Sequence, residues 1–244
     1  MAEWFEEWFG EEYLELYPHR DDREAERAVA LVRRTLPWCP GWRVLDVGCG
    51  AGRHARALAA AGARPVGLDL SRALLARARL TTGSPLVRAD MRRIPVRAGA
   101  MDLTVNLFTS FGYFASDDEH RDVVAEMVAT VRPGGWFVLD FLDADTVRTR
   151  LVPEERLELA TGAMEITRAV SDDGGYVIKT IAIADGRTFV ERVRLFTPQE
   201  LEEMLVAAGL VVHHRFGDYD GGPLAVGAPR AILMGQPAGT GRRA

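Results

Sequence analysis

Cysteine is scarce in this chain of 244 residues, which has only Cys39 and Cys49. So low a count indicates a reducing compartment. The chain also lacks any apolar run near the roughly 18 residues that a membrane-spanning helix requires, which excludes such a helix. Its acidic opening, Met1-Ala2-Glu3-Trp4, is unlike a signal peptide. We therefore expect a cytoplasmic protein with no membrane anchor.

Lysine is almost absent, because Lys179 is the one lysine among 30 basic residues. The net charge is −5, and the arginines form no dense basic stripe of the kind that follows a phosphate backbone. This disfavours a nucleic-acid substrate. No cluster of metal ligands is evident either. His213 and His214 are adjacent in a predicted strand, so we expect them to point to opposite faces and not to bind one ion together.

What is present in the sequence is enough for one large α/β core, since 48% of the residues are apolar. The central stretch is residues 44–53, where an apolar strand runs into Gly48, Gly50 and Gly52 and a helical pattern follows. Glycines after a strand let the backbone pass close to a ligand. In the dinucleotide fingerprint the third glycine comes one residue later, at the position of Arg53, and Asp46 would repel a pyrophosphate.

The pattern Asp46-x-Gly48-x-Gly50-x-Gly52 resembles the first motif of class I S-adenosylmethionine-dependent methyltransferases. The resemblance implies that Asp46 and backbone carbonyls receive the methionine ammonium, while the ribose lies over the glycines. The stretch 132–135, Arg-Pro-Gly-Gly before an apolar strand, is also similar to the family. The implied fold is a Rossmann-like, doubly wound α/β fold with a seven-stranded, mostly parallel sheet and an antiparallel β insertion.

Further cofactor contacts are expected where the next strands end. Asp69 lies nineteen residues after Gly50, near the spacing at which an acid binds ribose hydroxyls, although it also suits the N-terminus of a helix after Ser71. Asp90 and Met91 resemble the family's adenine-binding pair, with a simple loop aspartate as the alternative. The predicted cofactor-binding residues are Asp46, Gly48, Cys49, Gly50, Gly52, Asp69, Leu70, Asp90, Met91, Asn106 and Phe108.

Acceptor contacts are expected in the aromatic loop at residues 108–114, which follows a predicted fourth strand, because ligands bind where strands end in open α/β sheets. Phe111 and Tyr113 are the predicted substrate contacts there, whereas core packing is the alternative explanation for Phe108 and Phe114. Tyr219, in the loop before the last strand, is a further candidate, with an ordinary turn equally compatible.

The first twenty residues carry aromatic side chains at helical spacing. They predict a helix docked on the core, which is compatible with a lid whose Tyr13, Tyr17 and His19 reach the substrate. Tyr113 and His19 are the candidate general bases, needed only if the acceptor arrives protonated. The predicted division is a helical lid at 1–36, a cofactor-binding core at 37–150, an antiparallel insertion at 151–196, a completion of the core at 197–236 and a disordered tail at 237–244.

The sequence lacks the motifs that mark methylation of nucleic-acid bases and of protein arginines. Asn106 is followed by Leu-Phe-Thr in place of Pro-Pro-Tyr, and Cys39 precedes its proline. We therefore predict in-line methyl transfer to an N or O atom of a small molecule, with loop 108–114 similar to that of sugar-amine and glycine N-methyltransferases. The alternatives are a protein that binds S-adenosylmethionine or S-adenosylhomocysteine without turnover, an RNA methyltransferase and an NAD-dependent oxidoreductase. A homodimer through the insertion is a further possibility.

Overall fold

The computed structural model describes residues 8–10, 13, 22–159 and 162–239. Up to residue 150 the chain alternates strands and helices, except that the third and fourth strands follow each other without a helix. An antiparallel segment, a closing helix and two strands come after it. The elements are α1 (Asp22–Thr35), β1 (Arg43–Val47), α2 (Arg53–Ala60), β2 (Arg64–Asp69), α3 (Arg72–Thr81), β3 (Leu86–Arg88), β4 (Met101–Asn106), α4 (Asp117–Ala129), β5 (Val131–Leu142), α5 (Ala144–Arg150), β6 (Glu154–Leu159), β7 (Gly162–Val170), β8 (Tyr176–Ile183), β9 (Thr188–Arg194), α6 (Pro198–Ala207), β10 (Leu210–Phe216) and β11 (Arg230–Pro237).

The main sheet has seven strands in the order β10-β11-β5-β4-β1-β2-β3. β1, β2, β3, β4 and β5 pair in parallel, and the helical crossovers between them cover the sheet. Four of the five residues of β1 are buried, which explains the nearly continuous apolar run of its sequence. The order reverses at β1, whose two neighbours are β2 and β4, and this is where open α/β sheets bind ligands. The predicted fold class is confirmed.

The far edge of the sheet is closed by antiparallel strands, since β11 pairs with β5 and β10 pairs with β11. β11 continues to Pro237, the first residue of the predicted tail, while residues 240–244 lie outside the described part. β5 also begins earlier than predicted: the expected turn at 132–135 is an irregular start of this strand, with Gly134 at a φ of 72°.

A second sheet of four antiparallel strands, β6-β7-β8-β9, forms between α5 and α6. Three of these strands follow from alternating apolar and polar residues and from the turns between them. β6 is not predicted, because the sequence Glu-Glu-Arg-Leu-Glu-Leu is mostly charged. This sheet is joined to the main body by backbone contact, since the Arg194 amide donates to the Gly112 carbonyl at 2.8 Å.

The two histidines of β10 correct one expectation. A β-bulge between Val212 and His214 changes the strand's register, so the alternation of side chains is interrupted there. Both rings lie against Trp136, with ring centroids 5.4 Å away for His213 and 5.8 Å away for His214. They do not point to opposite faces. Within the described ranges no three His, Cys, Asp or Glu residues are grouped as metal ligands.

Two helices begin with reciprocal hydrogen bonds that their sequences predict. Ser116 accepts from the Glu119 amide before α4, and Thr197 accepts from the Glu200 amide before α6, while each glutamate returns a bond to the cap residue. Across the described part of the chain, the helices are all too short or too polar to cross a membrane.

Candidate functional site

A cavity of about 820 Å³ opens at the carboxyl ends of β1, β2 and β4. This volume is within the range of small-molecule and cofactor sites. Its walls come from the glycine loop after β1, the ends of β2 and β3, the loop after β4 and the N-terminal segment. The predicted site residues that line it are Tyr13, Gly48, Cys49, Gly50, Asp69, Leu70, Asp90, Met91, Phe108 and Tyr113.

The glycine loop has a left-handed backbone at all three glycines, with φ values of 73°, 53° and 82° at Gly48, Gly50 and Gly52. A Cβ at Gly48 would come 2.6 Å from the Cβ of Ser110, so the loop after β4 leaves no room for a side chain. At Gly50 a Cβ would meet no atom closer than 4.0 Å, which leaves the cavity side open for a ligand. Gly52 caps α2 and lies beyond the cavity wall.

We expect Gly48→Ala to be destabilising and to reduce cofactor binding, because the new methyl group collides with Ser110 and an L-residue is strained at this φ. Thermal unfolding should show that the free energy of unfolding falls by about 2 kcal/mol or more, as in other cases of overpacking. Gly83→Ala is the matched control, since a Cβ there meets nothing within 4 Å. Equal unfolding midpoints for the two variants would contradict this explanation.

Asp69 ends β2 and lines the cavity. Its Oδ2 accepts from the Gly50 amide and its Oδ1 from the Ser71 amide, both at 2.8 Å. The carboxylate therefore fixes the glycine loop, and each oxygen retains a lone pair for a ligand hydroxyl. Burial raises its pKa, although the amides of Ser71 and Gly50 oppose that shift. The hydrogen bond from the Ser71 amide holds Asp69 at the start of the next helix, and the remaining lone pairs still allow it to bind ribose hydroxyls. The ribose and helix-terminus interpretations of this residue are therefore compatible.

Asp46 lies beneath the glycine loop and does not line the cavity. The side chain is 1% exposed, and its Oδ2 has no hydrogen-bond partner among the described residues. Burial raises its pKa to about 7, with a further contribution from the negative charge of Asp69, while Arg53 and the Ala55 amide act in the opposite direction. An orphaned carboxylate oxygen under a ligand-binding loop fits a cofactor that brings positive charge, and it disfavours a pyrophosphate.

At the other end of the cavity, Asp90 is engaged by Arg92. Oδ1 accepts from the Arg92 amide at 2.8 Å, and Oδ2 accepts from Nε and Nη2 of its guanidinium at 2.9 and 2.7 Å. These bonds lower the pKa of Asp90 despite its partial burial. Its neighbour Met91 lines the same wall. Asp90 is therefore ionised and oriented, and its contact with an adenine amino group stays a prediction.

The aromatic loop after β4 presents two of the expected rings, those of Phe108 and Tyr113, and it presents Phe114 in place of Phe111. Phe108, Tyr113 and Phe114 line the cavity. Phe111 is wholly buried, with ring centroids 5.2 Å from His120 and 5.8 Å from Phe196, so its assignment as a substrate contact is wrong. The Tyr113 hydroxyl donates to the Thr109 carbonyl at 2.7 Å.

Asn106 and Tyr219 are also outside the cavity wall. Asn106 is fully buried, and its Nδ2 donates to the Val47 carbonyl at 3.0 Å, so it ties β4 to β1. Tyr219 is buried and donates its hydroxyl to Asp140 Oδ2 at 2.7 Å. The structure thus corrects both expectations: neither residue lines the cavity, and each supports the site from behind its wall.

The N-terminal segment reaches the cavity through Phe9, Gly10 and Tyr13. The Phe9 ring lies 4.9 Å from Tyr13 and 5.7 Å from Tyr113, centroid to centroid. Trp8 is buried on the other side, in a cluster with Met164, Ile166 and Ile181 of the antiparallel sheet. Tyr17 and His19 lie outside the described residues.

Several lining residues were not predicted. His54 is buried at the start of α2, and Ser110 donates to the Gly48 carbonyl at 3.2 Å. Arg53 places its guanidinium 4.1 Å from the centroid of the Phe108 ring and pairs with Glu24 at 2.9 Å. Arg53 and His54 lie in the first helical turn after the glycine loop, and this position is the sequence signal that could have identified them as lining residues.

Comparisons with known proteins agree with this geometry. A family model described as a methyltransferase domain matches residues 44–135. The chain is 32% identical over 226 residues to the dTDP-3-amino-3,4,6-trideoxy-alpha-D-glucopyranose N,N-dimethyltransferase of Streptomyces venezuelae, covering 84% of this chain and 90% of that protein. The ubiquinone biosynthesis O-methyltransferase of Bordetella avium is 35% identical over 105 residues, 42% of this chain and 44% of that protein.

Among solved structures, the CcbJ methyltransferase from Streptomyces caelestis has the same fold, with a TM-score of 0.78 at 20% identity over 94% of this chain and 98% of that one. The chain belongs to the class I S-adenosylmethionine-dependent methyltransferases. Its cofactor is S-adenosylmethionine, and it is an enzyme of the methyltransferase class.

Proposed function

We propose that this enzyme transfers a methyl group to the nitrogen of an amine on a small molecule, with an amino sugar as the first class to test. The observation that carries the proposal is the continuous cavity, which joins the glycine loop and Asp69 to an aromatic end formed by Phe9, Tyr13, Phe108 and Tyr113. The chain aligns with 90% of an amino-sugar N,N-dimethyltransferase but with 44% of an O-methyltransferase. This difference supports nitrogen over oxygen as the methylated atom.

Several side chains fit the cofactor. We propose that Asp69 binds the ribose, that Asp90 and Met91 bind the adenine, and that the open side of Gly50 accommodates the chain of the methionine. The negative charge of Asp46 favours the cofactor's positive charge from below the loop without direct contact. Cys49 contributes only packing, because burial raises the pKa of its thiol and keeps it neutral.

When bound, S-adenosylmethionine supplies a methyl group on a sulfonium; transfer to an amine leaves the S–CH₃ bonding pair on sulfur and releases one proton. The chain's own contribution is alignment of the two reactants and exclusion of water by the aromatic rings. The Tyr113 hydroxyl donates to Thr109, so its oxygen retains lone pairs that accept from the amine and aim the nitrogen. His19 is proposed only as a second candidate base.

The test is methylation of a matched pair of nucleotide-linked sugars that differ only by an amino or a hydroxyl group at one carbon. The proposal expects a mass increase of one or two methyl groups on the amino sugar, dependent on S-adenosylmethionine, and none on the hydroxyl compound. Methylation of the hydroxyl compound alone would overturn the choice of nitrogen. Binding of S-adenosylmethionine with no turnover on any amine, alcohol or transfer RNA in the panel would favour a binding protein, and turnover on RNA alone would favour an RNA methyltransferase.

We also propose that the N-terminal segment acts as a lid, anchored on the antiparallel sheet by Trp8. This side chain is 1% exposed, packs against Phe189 in a tilted ring contact at 4.7 Å between centroids, and donates to Glu191. The next residue, Phe9, lines the cavity, and its carbonyl accepts from the Ser71 hydroxyl. Release of the anchor therefore opens the same wall that covers the ligand.

Trp8→Ala is expected to raise the KM for the acceptor several-fold and to speed proteolysis of the N-terminal segment, because the anchor loses its packing. Trp38→Ala is the matched control, since Trp38 also donates through its indole N–H but packs between α1 and α2, away from the cavity. Steady-state kinetics and limited proteolysis check both. Equal effects of the two substitutions on KM would remove the argument for a lid.

Two further proposals concern the cellular location and the oligomeric state. The two free cysteines support a cytoplasmic location.

A homodimer through the antiparallel sheet is supported by its edge strand β9, where Val190 is 45% exposed. Sedimentation of Val190→Lys beside the unaltered protein tests that interface, and a monomer in both samples would reject it.

A further inference from the structure

Two consecutive residues at the cavity have a strained backbone. Phe108 and Thr109 each have a φ of 60°, and they are the non-glycine residues with positive φ in the described part of the chain. Such a conformation costs on the order of 1 kcal/mol or more per residue and persists only where the surroundings impose it. Since Phe108 lines the cavity, the groups that impose this conformation also shape the cavity wall.

Asp140 makes the main contacts with this strained dipeptide. It lies near the end of β5 and is 0% exposed. Its Oδ2 accepts from the Phe108 amide at 2.8 Å, and its backbone carbonyl accepts from the Thr109 amide at 3.0 Å. One residue therefore binds two successive amides, which fixes the orientation of both peptide planes.

The carboxylate of Asp140 is itself held by two residues from distant parts of the sequence. Tyr219 donates its hydroxyl to Oδ2 at 2.7 Å, and the Arg230 guanidinium pairs with Oδ1. Burial and the negative charge of Asp140 raise the pKa of Tyr219, so its hydroxyl stays a donor at every physiological pH. Both oxygens of the buried carboxylate are thus satisfied, as a charge in this position requires.

The Thr109 side chain closes the network. Its Oγ1 accepts from the Leu142 amide at 3.0 Å and from Arg230 Nη2 at 3.2 Å. The guanidinium carbon of Arg230 also lies 5.2 Å from the centroid of Phe108, and that of Arg53 lies 4.1 Å from the same ring. The ring is therefore held between two cations at the cavity wall, next to the glycine loop.

The left-handed dipeptide decides which aromatic side chain reaches the ligand. The reversal of chain direction after β4 places the rings of Phe108 and Tyr113 on the cavity, while Phe111 is directed into the core. The same turn brings Ser110 to the Gly48 carbonyl, so the loop after β4 and the glycine loop are linked. A relaxed backbone at 108 and 109 would alter both features.

We propose that Asp140, Tyr219 and Arg230 are positioning residues that hold Phe108 and Thr109 in the left-handed conformation and thereby set the cofactor-binding wall of the cavity. The proposal rests on the assignment of this cavity to the cofactor. None of the three residues lines the cavity, so they act through the loop that they hold.

The test is calorimetric titration of S-adenosylhomocysteine into the purified full chain and its Tyr219→Phe variant. Loss of one hydrogen bond to a charged group predicts about a tenfold rise in Kd. Leu31→Val is the control, because Leu31 is buried in the same apolar cluster as Tyr219 and its substitution reduces stability without touching the network. It is expected to lower the unfolding midpoint while leaving Kd unchanged.

A second substitution separates positioning from general stability. Glycine adopts positive φ without strain, so Thr109→Gly reduces the need for the network. The effect of Tyr219→Phe on Kd is then expected to fall by at least half in the Thr109→Gly background. Should Tyr219→Phe fail to fold, Asp140→Asn replaces it in the same cycle with the same expectation, because it removes the charge that binds the Phe108 amide and Tyr219 without depending on the Thr109 hydroxyl.

The outcomes are distinct. An unchanged Kd for Tyr219→Phe, or an effect of equal size in both backgrounds, overturns the positioning role. Absence of binding by the unaltered protein would instead overturn the assignment of the cavity to the cofactor. A rise in Kd that the glycine background relieves supports the proposal.

Discussion

Asp69→Asn is expected to weaken binding of S-adenosylmethionine by roughly a hundredfold or more. The substitution removes the charge that two ribose hydroxyls would bind, and hydrogen bonds to charged groups contribute about 1.5–3 kcal/mol each. Asparagine retains one side-chain acceptor, so one of the bonds to the Gly50 and Ser71 amides can persist and the loop is not wholly released. Calorimetry with S-adenosylmethionine, and with NAD as a negative ligand, measures the effect.

Asp102→Asn is the matched control for this prediction. Asp102 also lies in the main sheet and also uses both oxygens, but it binds Arg43 and Arg132 at the opposite end of β4. Its substitution is expected to reduce stability and to leave the affinity for S-adenosylmethionine unchanged. Retention of affinity by Asp69→Asn would show that the ribose is held by other groups.

Asp46→Asn is expected to stabilise the protein without cofactor and, at the same time, to weaken cofactor binding. The pKa of Asp46 is raised from 3.8 to about 7, chiefly because burial penalises the charge. The folded state therefore binds a proton more tightly than the unfolded chain does. The associated stability is fully present below pH 3.8 and is lost as the pH rises through about 7, a loss on the order of 4 kcal/mol.

The neutral amide of the variant does not carry this penalty. The difference in unfolding free energy between Asp46→Asn and the unaltered protein should therefore be largest above pH 7 and shrink toward pH 4. Chemical denaturation at pH 5 and pH 8 measures it. Asp143→Asn serves as control, because Asp143 is also buried but caps α5, where asparagine is an equally good cap. A difference that does not depend on pH would rule out ionisation of Asp46 as the cause.

The same substitution removes a negative charge from under the glycine loop. We expect about a tenfold rise in the Kd for S-adenosylmethionine at pH 8, where Asp46 is ionised in the unaltered protein. The opposite signs of the stability and binding effects make this site a case in which a charge retained for function is costly to the fold.

The sequence was sufficient for the fold around the glycine loop. Strand, glycine turn and helix follow one another without a gap, and Asp69 lies at a fixed spacing from Gly50, so local pattern and overall topology agree there. Thr197 and Glu200 form the capping box of α6 in the same way, since they are only three residues apart. These features depend on neighbours in the chain, which is the information that a sequence pattern holds.

The acceptor half was less predictable for a physical reason. Which aromatic residue of the loop after β4 faces the cavity depends on positive φ at Phe108 and Thr109, and no local rule assigns that conformation to phenylalanine or threonine. Asp140 contacts Phe108 from 32 positions along the chain, and Arg230 contacts Thr109 from 121 positions. Tyr219 was chosen as a substrate contact from its aromatic character, while its place in the fold is that of a donor to Asp140.

The charged strand β6 and the bulge in β10 were unpredictable for a related reason. β6 has few apolar residues and is defined by its pairing with β7, from Glu154 opposite Thr167 to Leu159 opposite Gly162. The bulge arises where His213 and His214 pack on Trp136 of another strand. In both cases tertiary contacts override the local pattern.

Lys179 offers a chemical probe of the contact between the N-terminal segment and the antiparallel sheet. It is the only lysine of the chain, its side chain is 14% exposed, and its Nζ lies 3.6 Å from Glu191, the residue that accepts from the Trp8 indole. Burial lowers its pKa, which increases the fraction of nucleophilic amine, while Glu191 opposes the shift. An amine-directed acylating reagent therefore has a single lysine to modify, at the very contact that anchors the N-terminal segment. Its rate of labelling, followed by mass spectrometry with and without S-adenosylmethionine, reads how often that contact opens.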